Sequence, residues 1–156
     1  MTSCENVRLK LSYHTLSPFQ TQVVDYKCTH RNSQQEATQS ERIARLPKAL
    51  VITFLRFRHF QDSTRQKADN HIKFNNVITL DKYLDCKTQP ESKSYHLYAV
   101  VNHYGELDRG HYVAFCKSPS SNVWYKYDDQ VVTEIPALAE HDKKNTYIAF
   151  YMCDTT

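Results

Sequence analysis

Glycine is nearly absent: the 156 residues contain two, Gly105 and Gly110. Glycine is needed where the backbone takes a positive φ or where two segments approach closely. Gly105 therefore predicts a tight turn, and Gly110 predicts a hinge that presents His111. Short apolar runs rich in β-branched and aromatic residues lie on both sides of this pair. The stretch is therefore predicted to fold as strand, loop and strand, with a histidine at the exit of the loop.

Other features that the sequence lacks exclude whole classes of protein. No apolar run approaches the ~18 residues of a membrane span, and the N terminus has no uninterrupted apolar core of a signal peptide. The net charge is +3 with scattered basic residues, whereas a nucleic-acid surface needs them clustered. The five cysteines are odd in number and widely spaced, with no C-x-x-C pair, and predict no disulfide framework. We expect an intracellular protein, cytoplasmic or nuclear, that binds neither membranes nor nucleic acid.

The residues that are present favour one β-rich domain with a genuine core. Aromatic residues make up 12% of the chain, including eleven tyrosines, and aromatic residues favour strands. The predicted strands are 7–11, 19–26, 46–57, 72–74, 77–80, 97–101, 112–116, 123–127, 131–135 and 147–152. Segment 27–45 is predicted as an exposed strand or a surface loop, 58–70 as a long polar connection that is a candidate substrate-facing loop, 80–84 as a strand end or helical turn, and 136–145 as a helical turn or short helix. The sum is a mainly antiparallel sheet of hairpins with little helix.

One pair of residues has the pattern of a general base and its partner. If the strands at 112–116 and 123–127 pair, His111 and Asp128 fall at the same end of the sheet. A carboxylate there can accept the imidazole N–H and stabilise the imidazolium. A histidine near a hairpin end is more often an ordinary surface or hydrogen-bonded residue, so the residues alone leave both interpretations open. No serine lies in a G-x-S-x-G context and no cysteine has an obvious activating setting, so a nucleophile is missing.

Several segments resemble the ubiquitin-specific proteases, papain-like cysteine peptidases that cleave at the C-terminal glycine of ubiquitin. The stretch YHLYAVVNHYGELDRGHY at 95–112 is similar to the C-terminal histidine box of that family. Further similar segments are LPKALVITFLRF at 46–57, Lys67 followed by Ile72, Phe74 and Leu80-Asp81, WYKYDD at 124–129, and YIAFY at 147–151. The resemblance covers about residues 19–153, weakly before Leu46.

The resemblance implies an α+β fold to which this chain contributes a mainly antiparallel β-sheet. That sheet would be the palm and part of the fingers of a papain-like peptidase, with the helical N-terminal half absent. It divides the chain into a poorly matched, fingers-like segment at 1–45 and a C-terminal palm portion at 46–156. The implied partners are ubiquitin, ubiquitinated proteins and a separate N-terminal half.

The resemblance also implies roles for individual residues. His111 is similar to the catalytic histidine, Asp128 to the residue that orients it, and Asp129 to a supporting acidic position. The loop at 102–109 corresponds to a blocking loop beside the channel for the Arg-Gly-Gly tail of ubiquitin. The residues that would line this channel or let its walls approach closely are His103, Gly105, Gly110 and Tyr112.

Two departures from the family pattern concern cysteine. The family carries its nucleophile in an N-terminal box resembling Gly-Asn-Thr-Cys, and no Asn-x-Cys occurs in this chain. Many members also carry a zinc-binding Cys-x-x-Cys pair before the Leu-Pro strand. Here Cys28 matches the first ligand, but Arg31 occupies the second position. His30 could ligate, yet a tetrahedral site needs four ligands, so we expect no zinc and no other cofactor.

The sequence therefore predicts thiol-dependent hydrolysis at the C-terminal glycine of ubiquitin, with this chain supplying the histidine and aspartate of the triad. Without the cysteine box we expect the chain to be inactive alone, as a gene-model fragment, a split product or a divergent pseudoenzyme. The alternative function is a catalytically inactive ubiquitin-binding or scaffold module. An unrelated β-rich interaction domain is disfavoured because several family segments occur in the right order.

Overall fold

The structure is a computed structural model that describes residues 8–11, 20–28, 33–40, 42–59, 64–85 and 93–154. Within these ranges the chain forms strands joined by turns and two short 3-10 helices, Asp81–Tyr83 and Asp142–Asn145. The strands are β1 Arg8–Leu11, β2 Gln20–Cys28, β3 Ser33–Ser40, β4 Ala49–Phe54, β5 Phe57–His59, β6 Arg65–Lys67, β7 Val77–Thr79, β8 Ser94–Gly105, β9 Gly110–Lys117, β10 Trp124–Asp128, β11 Val131–Ile135 and β12 Thr146–Cys153.

Eight strands form one sheet, in the order β1-β4-β12-β8-β9-β10-β11 with β7 paired to β8. Every pairing in it is antiparallel except the parallel pair β1–β4. Strands β2 and β3 form a separate ribbon, as do β5 and β6. The prediction of a mainly antiparallel sheet with little helix is confirmed. No helix in the described part of the chain is long and apolar enough to cross a membrane.

The core lies on one face of the large sheet, because alternate residues of each strand point to the same side. In β4, Leu50, Ile52 and Phe54 are buried while the residues between them are half-buried, as expected for a strand that lies between β1 and β12. The buried apolar core consists of Leu50, Ile52, Phe54, Leu80, Tyr83, Tyr95, Leu97, Val100, Val113, Phe115, Ala149, Tyr151 and Cys153. Segments outside the sheet cover it with Ile72, Phe74 and Leu138.

The predicted polar connection at 58–70 is wrong in part, because the chain forms the β5–β6 ribbon there. The buried Arg56 is bonded to the part of this segment that follows β6. Its guanidinium donates to the carbonyl oxygens of Thr146 at 2.6 Å, Ala68 at 3.0 Å, Asn70 at 2.9 Å and Lys144 at 2.8 Å. These bonds fasten the segment after β6 to the start of β12. A side chain that satisfies four distant carbonyls leaves no signal in local sequence patterns.

The remaining differences are local. The predicted strand at 72–74 lies outside every described strand, and its Ile72 and Phe74 instead pack on the core. The two open alternatives are resolved, since 33–40 is a strand and 81–83 is a 3-10 helix. The helical turn predicted within 136–145 is confirmed by the second 3-10 helix.

Candidate active site

The β8–β9 hairpin carries the glycine pair and both candidate histidines. Its register places His103 opposite Tyr112, Tyr104 opposite His111, and Gly105 opposite Gly110. Because successive residues of a strand point to opposite faces, His103 and Tyr112 share one face of the sheet. Tyr104 and His111 share the other. The two histidines of one hairpin therefore meet different surroundings.

Strand β10 brings a carboxylate to His111. The β9–β10 pairing sets Tyr127 opposite Ala114, so the next residue, Asp128, comes level with Val113, which shares a face with His111 two residues away. The distance from His111 Nε2 to Asp128 Oδ1 is 2.5 Å, and the two side chains are 47% and 34% exposed. The predicted proximity of His111 and Asp128 is confirmed. With Nε2 donating to the carboxylate, Nδ1 is the ring nitrogen left to accept a proton.

The charges around this pair oppose one another. The hydrogen bond to Asp128 raises the pKa of His111, and the nearby Asp129 adds to the rise. A hydrogen bond from Lys126, followed by that from His111, lowers the pKa of Asp128. Lys126 Nζ lies 2.8 Å from Asp128 Oδ2, so the carboxylate has one cationic neighbour on each oxygen. Lys126 was not predicted from sequence, because its i, i+2 spacing from Asp128 on a strand shows only that the two residues share a face.

Asp129 lies in the turn after β10 with a φ of +52°. One ligand atom each from His111, Asp128 and Asp129 lies within 4.8 Å of the others, a spacing that a cation could bridge. Both Asp128 oxygens are already engaged by Lys126 and His111, and a cation would have to displace one of them. We assign no metal to this cluster, and the predicted absence of a metal stays a prediction. The zinc prediction concerned Cys28, His30 and Arg31, whose side chains lie outside the described part of the structure.

His103 is a buried ring on the other face, with 2% of its surface exposed. The ring centroid of Tyr112 lies 4.7 Å from it, and that of Phe57 lies 5.1 Å away in an edge-on arrangement. Burial, followed by the charge of Lys67, lowers the pKa of His103. Its Nδ1 is buried without a hydrogen-bond partner. A neutral aromatic ring therefore lies beneath Tyr112, which is itself 51% exposed.

The two glycines have different structural reasons. Gly105 has a φ of +82°, and a Cβ there would lie 2.8 Å from the carbonyl oxygen of Arg109, so the predicted tight turn is confirmed. Gly110 has no positive φ and lies in the β8–β9 ladder. A Cβ at Gly110 would overlap the ring of His103. The predicted hinge is therefore replaced by a close approach: Gly110 leaves room for the imidazole.

Lys67 joins the β5–β6 ribbon to this hairpin. Its Nζ donates to the carbonyl oxygens of His103 at 2.9 Å and Gly105 at 2.6 Å, and its side chain is 8% exposed. Burial is the main cause that lowers the pKa of Lys67. Lys67 belongs to one of the segments that resemble the family, and its sequence context alone predicted no role for it. Its structural role is to fix the backbone where the hairpin turns.

Neither described free thiol is placed to act with His111. Cys116 lies on the same strand as His111 but at an even position, and residues of opposite parity face opposite sides of a sheet. Five residues of strand also separate them by about 17 Å. Burial raises the pKa of the Cys116 thiol, which opposes thiolate formation. Cys153 is buried in the core.

Comparison with known proteins places this arrangement in a family. The family described as ubiquitin carboxyl-terminal hydrolase matches residues 2–151, a longer stretch than the motifs alone predicted. Ubiquitin carboxyl-terminal hydrolase 8 of Saccharomyces cerevisiae is 33% identical over 137 residues, which are 81% of this chain and 28% of that protein. Ubiquitin carboxyl-terminal hydrolase 5 of Arabidopsis thaliana is 33% identical over 127 residues, 80% of this chain and 13% of that protein.

Solved structures agree with this assignment. The SAGA DUB module of a Ubp8 variant with Sgf11, Sus1 and Sgf73 bound to monoubiquitin superposes with a TM-score of 0.76 at 31% identity, covering 88% of this chain and 31% of that chain. The same module bound to ubiquitin aldehyde gives 0.76 at 30% identity, with 88% and 32% covered. The chain thus spans about a third of the matched chain in each of those structures. Since the family match covers nearly all of the sequence, this chain belongs to the ubiquitin carboxyl-terminal hydrolase family, as part of the catalytic domain of a ubiquitin-specific protease.

Proposed function

We propose that this chain supplies the histidine and aspartate of the catalytic triad of a deubiquitinating cysteine peptidase. The observation that carries the proposal is the hydrogen bond between His111 Nε2 and Asp128 Oδ1 at the end of the β9–β10 hairpin. With Nε2 engaged in this bond, Nδ1 of the half-exposed imidazole can accept a proton. Membership of the family and the ubiquitin-bound relatives support ubiquitin as the partner.

In this mechanism His111 is the general base. Its Nδ1 takes the proton of a thiol from the family's cysteine box, and Asp128 stabilises the resulting imidazolium through Nε2. The thiolate attacks the carbonyl carbon of the terminal glycine of ubiquitin, and His111 returns the proton to the leaving amine. Water then hydrolyses the thioester. Asp129 supports the pair by its negative charge, which acts on His111 in the same direction as Asp128.

The opposite face of the hairpin would form one wall of the channel for the diglycine tail. Tyr112 stands exposed above the buried ring of His103, while Gly110 and Gly105 keep side chains out of the backbone around it. The rings of Tyr112 and His103 would lie beside backbone that carries no side chain at the two glycines. This arrangement leaves space for a narrow peptide segment. Such a slot would admit glycine and reject any residue with a Cβ.

The proposal extends to the organisation of the chain and its partners. Residues 1–45 would be a fingers-like segment and 46–156 the palm portion of the domain. The partners would be ubiquitin, ubiquitinated proteins and a separate N-terminal half that brings the cysteine box. We propose an intracellular location, in the cytoplasm, the nucleus or both.

A ubiquitin probe with a thiol-reactive C terminus tests the catalytic role. We expect no labelling of the chain alone, and labelling when a segment with the family's cysteine box is added. In that mixture His111→Ala should abolish the labelling, because the thiol loses its base. Labelling of the isolated chain would instead reveal a nucleophile within it. Labelling that survives His111→Ala in the mixture would refute the proposed role.

The placement of Cys116 and Cys153 away from His111 favours a second candidate, a ubiquitin-binding module without chemistry. Here NMR titration with ubiquitin is the test, with amide shifts expected around residues 103–112. Ubiquitin whose terminal glycine is replaced by valine should bind at least tenfold more weakly. Tyr112→Ala should weaken binding, whereas Met152→Ala, an exposed residue at the far end of β12, should not. Shifts at 103–112 without labelling in any mixture would favour this module over the enzyme.

A further inference from the structure

Three side chains form a continuous polar row at one end of the sheet. Lys126 Nζ contacts Asp128 Oδ2 at 2.8 Å, and Asp128 Oδ1 accepts from His111 Nε2 at 2.5 Å. Lys126 and Asp128 lie two residues apart on β10, so both side chains leave the same face of the strand. The carboxylate is thus shared between a lysine that is permanently charged near neutral pH and a histidine that titrates.

We propose that Lys126 is a positioning residue of the proposed site: by contacting Oδ2 of Asp128 it limits the negative charge that His111 meets, which keeps the imidazole available as a proton acceptor. The inference rests on the proposed function for its catalytic meaning. The geometry on which it depends is that of this chain by itself.

The lysine is well placed to hold its partner. Lys126 lies in the middle of β10, paired with Phe115 of β9 on one side and Thr133 of β11 on the other. Asp128 is the last residue of the same strand, immediately before the positive-φ turn at Asp129. A contact from a residue anchored in the ladder restricts the rotation of a carboxylate at a strand end. Its two oxygens then serve different partners.

Charge accounting gives the consequence for His111. Beside a lone carboxylate an imidazole gains a full opposite charge on protonation, which favours the imidazolium. Here the positive charge of Lys126 offsets part of that attraction and acts to lower the pKa of His111, against the larger effect of Asp128. A base that is already protonated cannot take a proton from a thiol, so the lysine widens the pH range in which His111 can act.

Other charged or titratable groups face this row from the neighbouring elements. Asp129 lies in the turn after β10, and its charge raises the pKa of His111. The hydrogen bond to Asp128 is the main cause that raises the pKa of Lys126, and the carboxylate of Asp142 in the second 3-10 helix adds to the rise. Because these neighbouring carboxylates favour the ammonium form, Lys126 remains a cation throughout the pH range in which His111 titrates.

The test is the pKa of His111, measured by NMR from its imidazole resonances in the isolated chain. In Lys126→Met we expect a rise of roughly 0.3 to 0.6 pKa units, the size expected for one charge about 5 Å away in a largely solvated site. Lys126→Arg keeps the charge and a donor and should leave the pKa of His111 unchanged. Lys126→Gln, a second neutral variant, should repeat the rise.

Lys117→Met is the matched control, because it removes the same charge at the other end of β9, six residues and about 20 Å from His111. It should leave the pKa of His111 unchanged. An unchanged or lowered pKa in both Lys126→Met and Lys126→Gln would overturn the inference, as would an equal rise in Lys117→Met. This measurement needs neither substrate nor nucleophile, so it can fail while the probe experiment succeeds, and the reverse.

Discussion

Two histidines on one hairpin, His103 and His111, show how strand parity divides chemistry between the faces of a sheet. His103 lies among the rings of Phe57 and Tyr112 with its pKa lowered by burial. His111 lies half-exposed with its pKa raised by its bond to Asp128. The same residue type thus has a lowered pKa on one face and a raised pKa on the other. The difference follows from the surroundings on each face. Aromatic rings pack against His103, whereas the carboxylate of Asp128 bonds to His111.

The largest effect should come from filling the space that Gly110 leaves for the ring of His103. In Gly110→Ala the new Cβ would overlap the imidazole of His103. The backbone at position 110 cannot shift to relieve this overlap, because it is paired with Gly105 in the ladder. We expect the free energy of unfolding to fall by about 3 kcal/mol, at the upper end for overpacking in a core. Urea unfolding followed by tyrosine fluorescence measures it.

A double-mutant cycle isolates the cause of that loss. His103→Ala removes the ring, and Gly110→Ala made in that background should cost less than 1 kcal/mol, about the propensity difference between two small residues in a strand. His111→Ala serves as the control background, because that ring lies on the other face. If Gly110→Ala cost the same in all three backgrounds, the close approach would not be the reason for this glycine.

The pair His111 and Asp128 could be predicted from sequence because it depends on hairpin register, which local patterns carry. The turn at Gly105 could be predicted for the same reason, since a positive φ is a local property. The reason for Gly110 could not, because it depends on which way the His103 ring turns. Lys126 was equally hidden, since a lysine on an exposed strand has many possible partners and the structure alone selects Asp128.

The polar segment between β5 and the core shows a second limit. Its last part is bonded to Arg56, which also contacts the carbonyl oxygen of Thr146 far along the chain. Composition correctly marked this segment as polar, but polarity does not distinguish a free loop from one held by a buried guanidinium. The fold class was predictable because it requires only alternation and turns. The contacts around His103 and Gly105, by contrast, join distant segments of the chain.

An intermediate effect should come from cutting the link between the ribbon and the hairpin. Lys67→Met keeps the length of the side chain but leaves the carbonyl oxygens of His103 and Gly105 without their donor. We expect a loss of about 1 to 2 kcal/mol in the free energy of unfolding. The pKa of His103 should rise, because the charge of Lys67 contributes to lowering it.

Arg65→Met on the same ribbon is the control for Lys67→Met, since Arg65 is exposed and its loss should change stability by less than about 0.5 kcal/mol. Hydrogen exchange of the amides at 103–110 reports where the loss occurs. Faster exchange confined to that turn is expected in Lys67→Met. Equal effects of the two variants would mean that the two hydrogen bonds do not hold the hairpin.

The smallest effect, and the sharpest for the comparison, is on the two titrations themselves. In the unaltered chain the pKa of His111 should lie above the ordinary value of ~6.5 and that of His103 below it. His111 then contributes stability that is fully present below pH ~6.5 and is lost as the pH rises through its raised pKa. His103 contributes in the opposite sense: its stability is present above pH ~6.5 and is lost as the pH falls through its lowered pKa.

Asp128→Asn, followed by NMR titration of both rings, should bring the pKa of His111 down and leave that of His103 where it is, because only His111 shares a face with Asp128. If both pKa values moved together, the two faces of the hairpin would be electrostatically coupled, and parity alone could not explain why the pKa values of the two histidines differ.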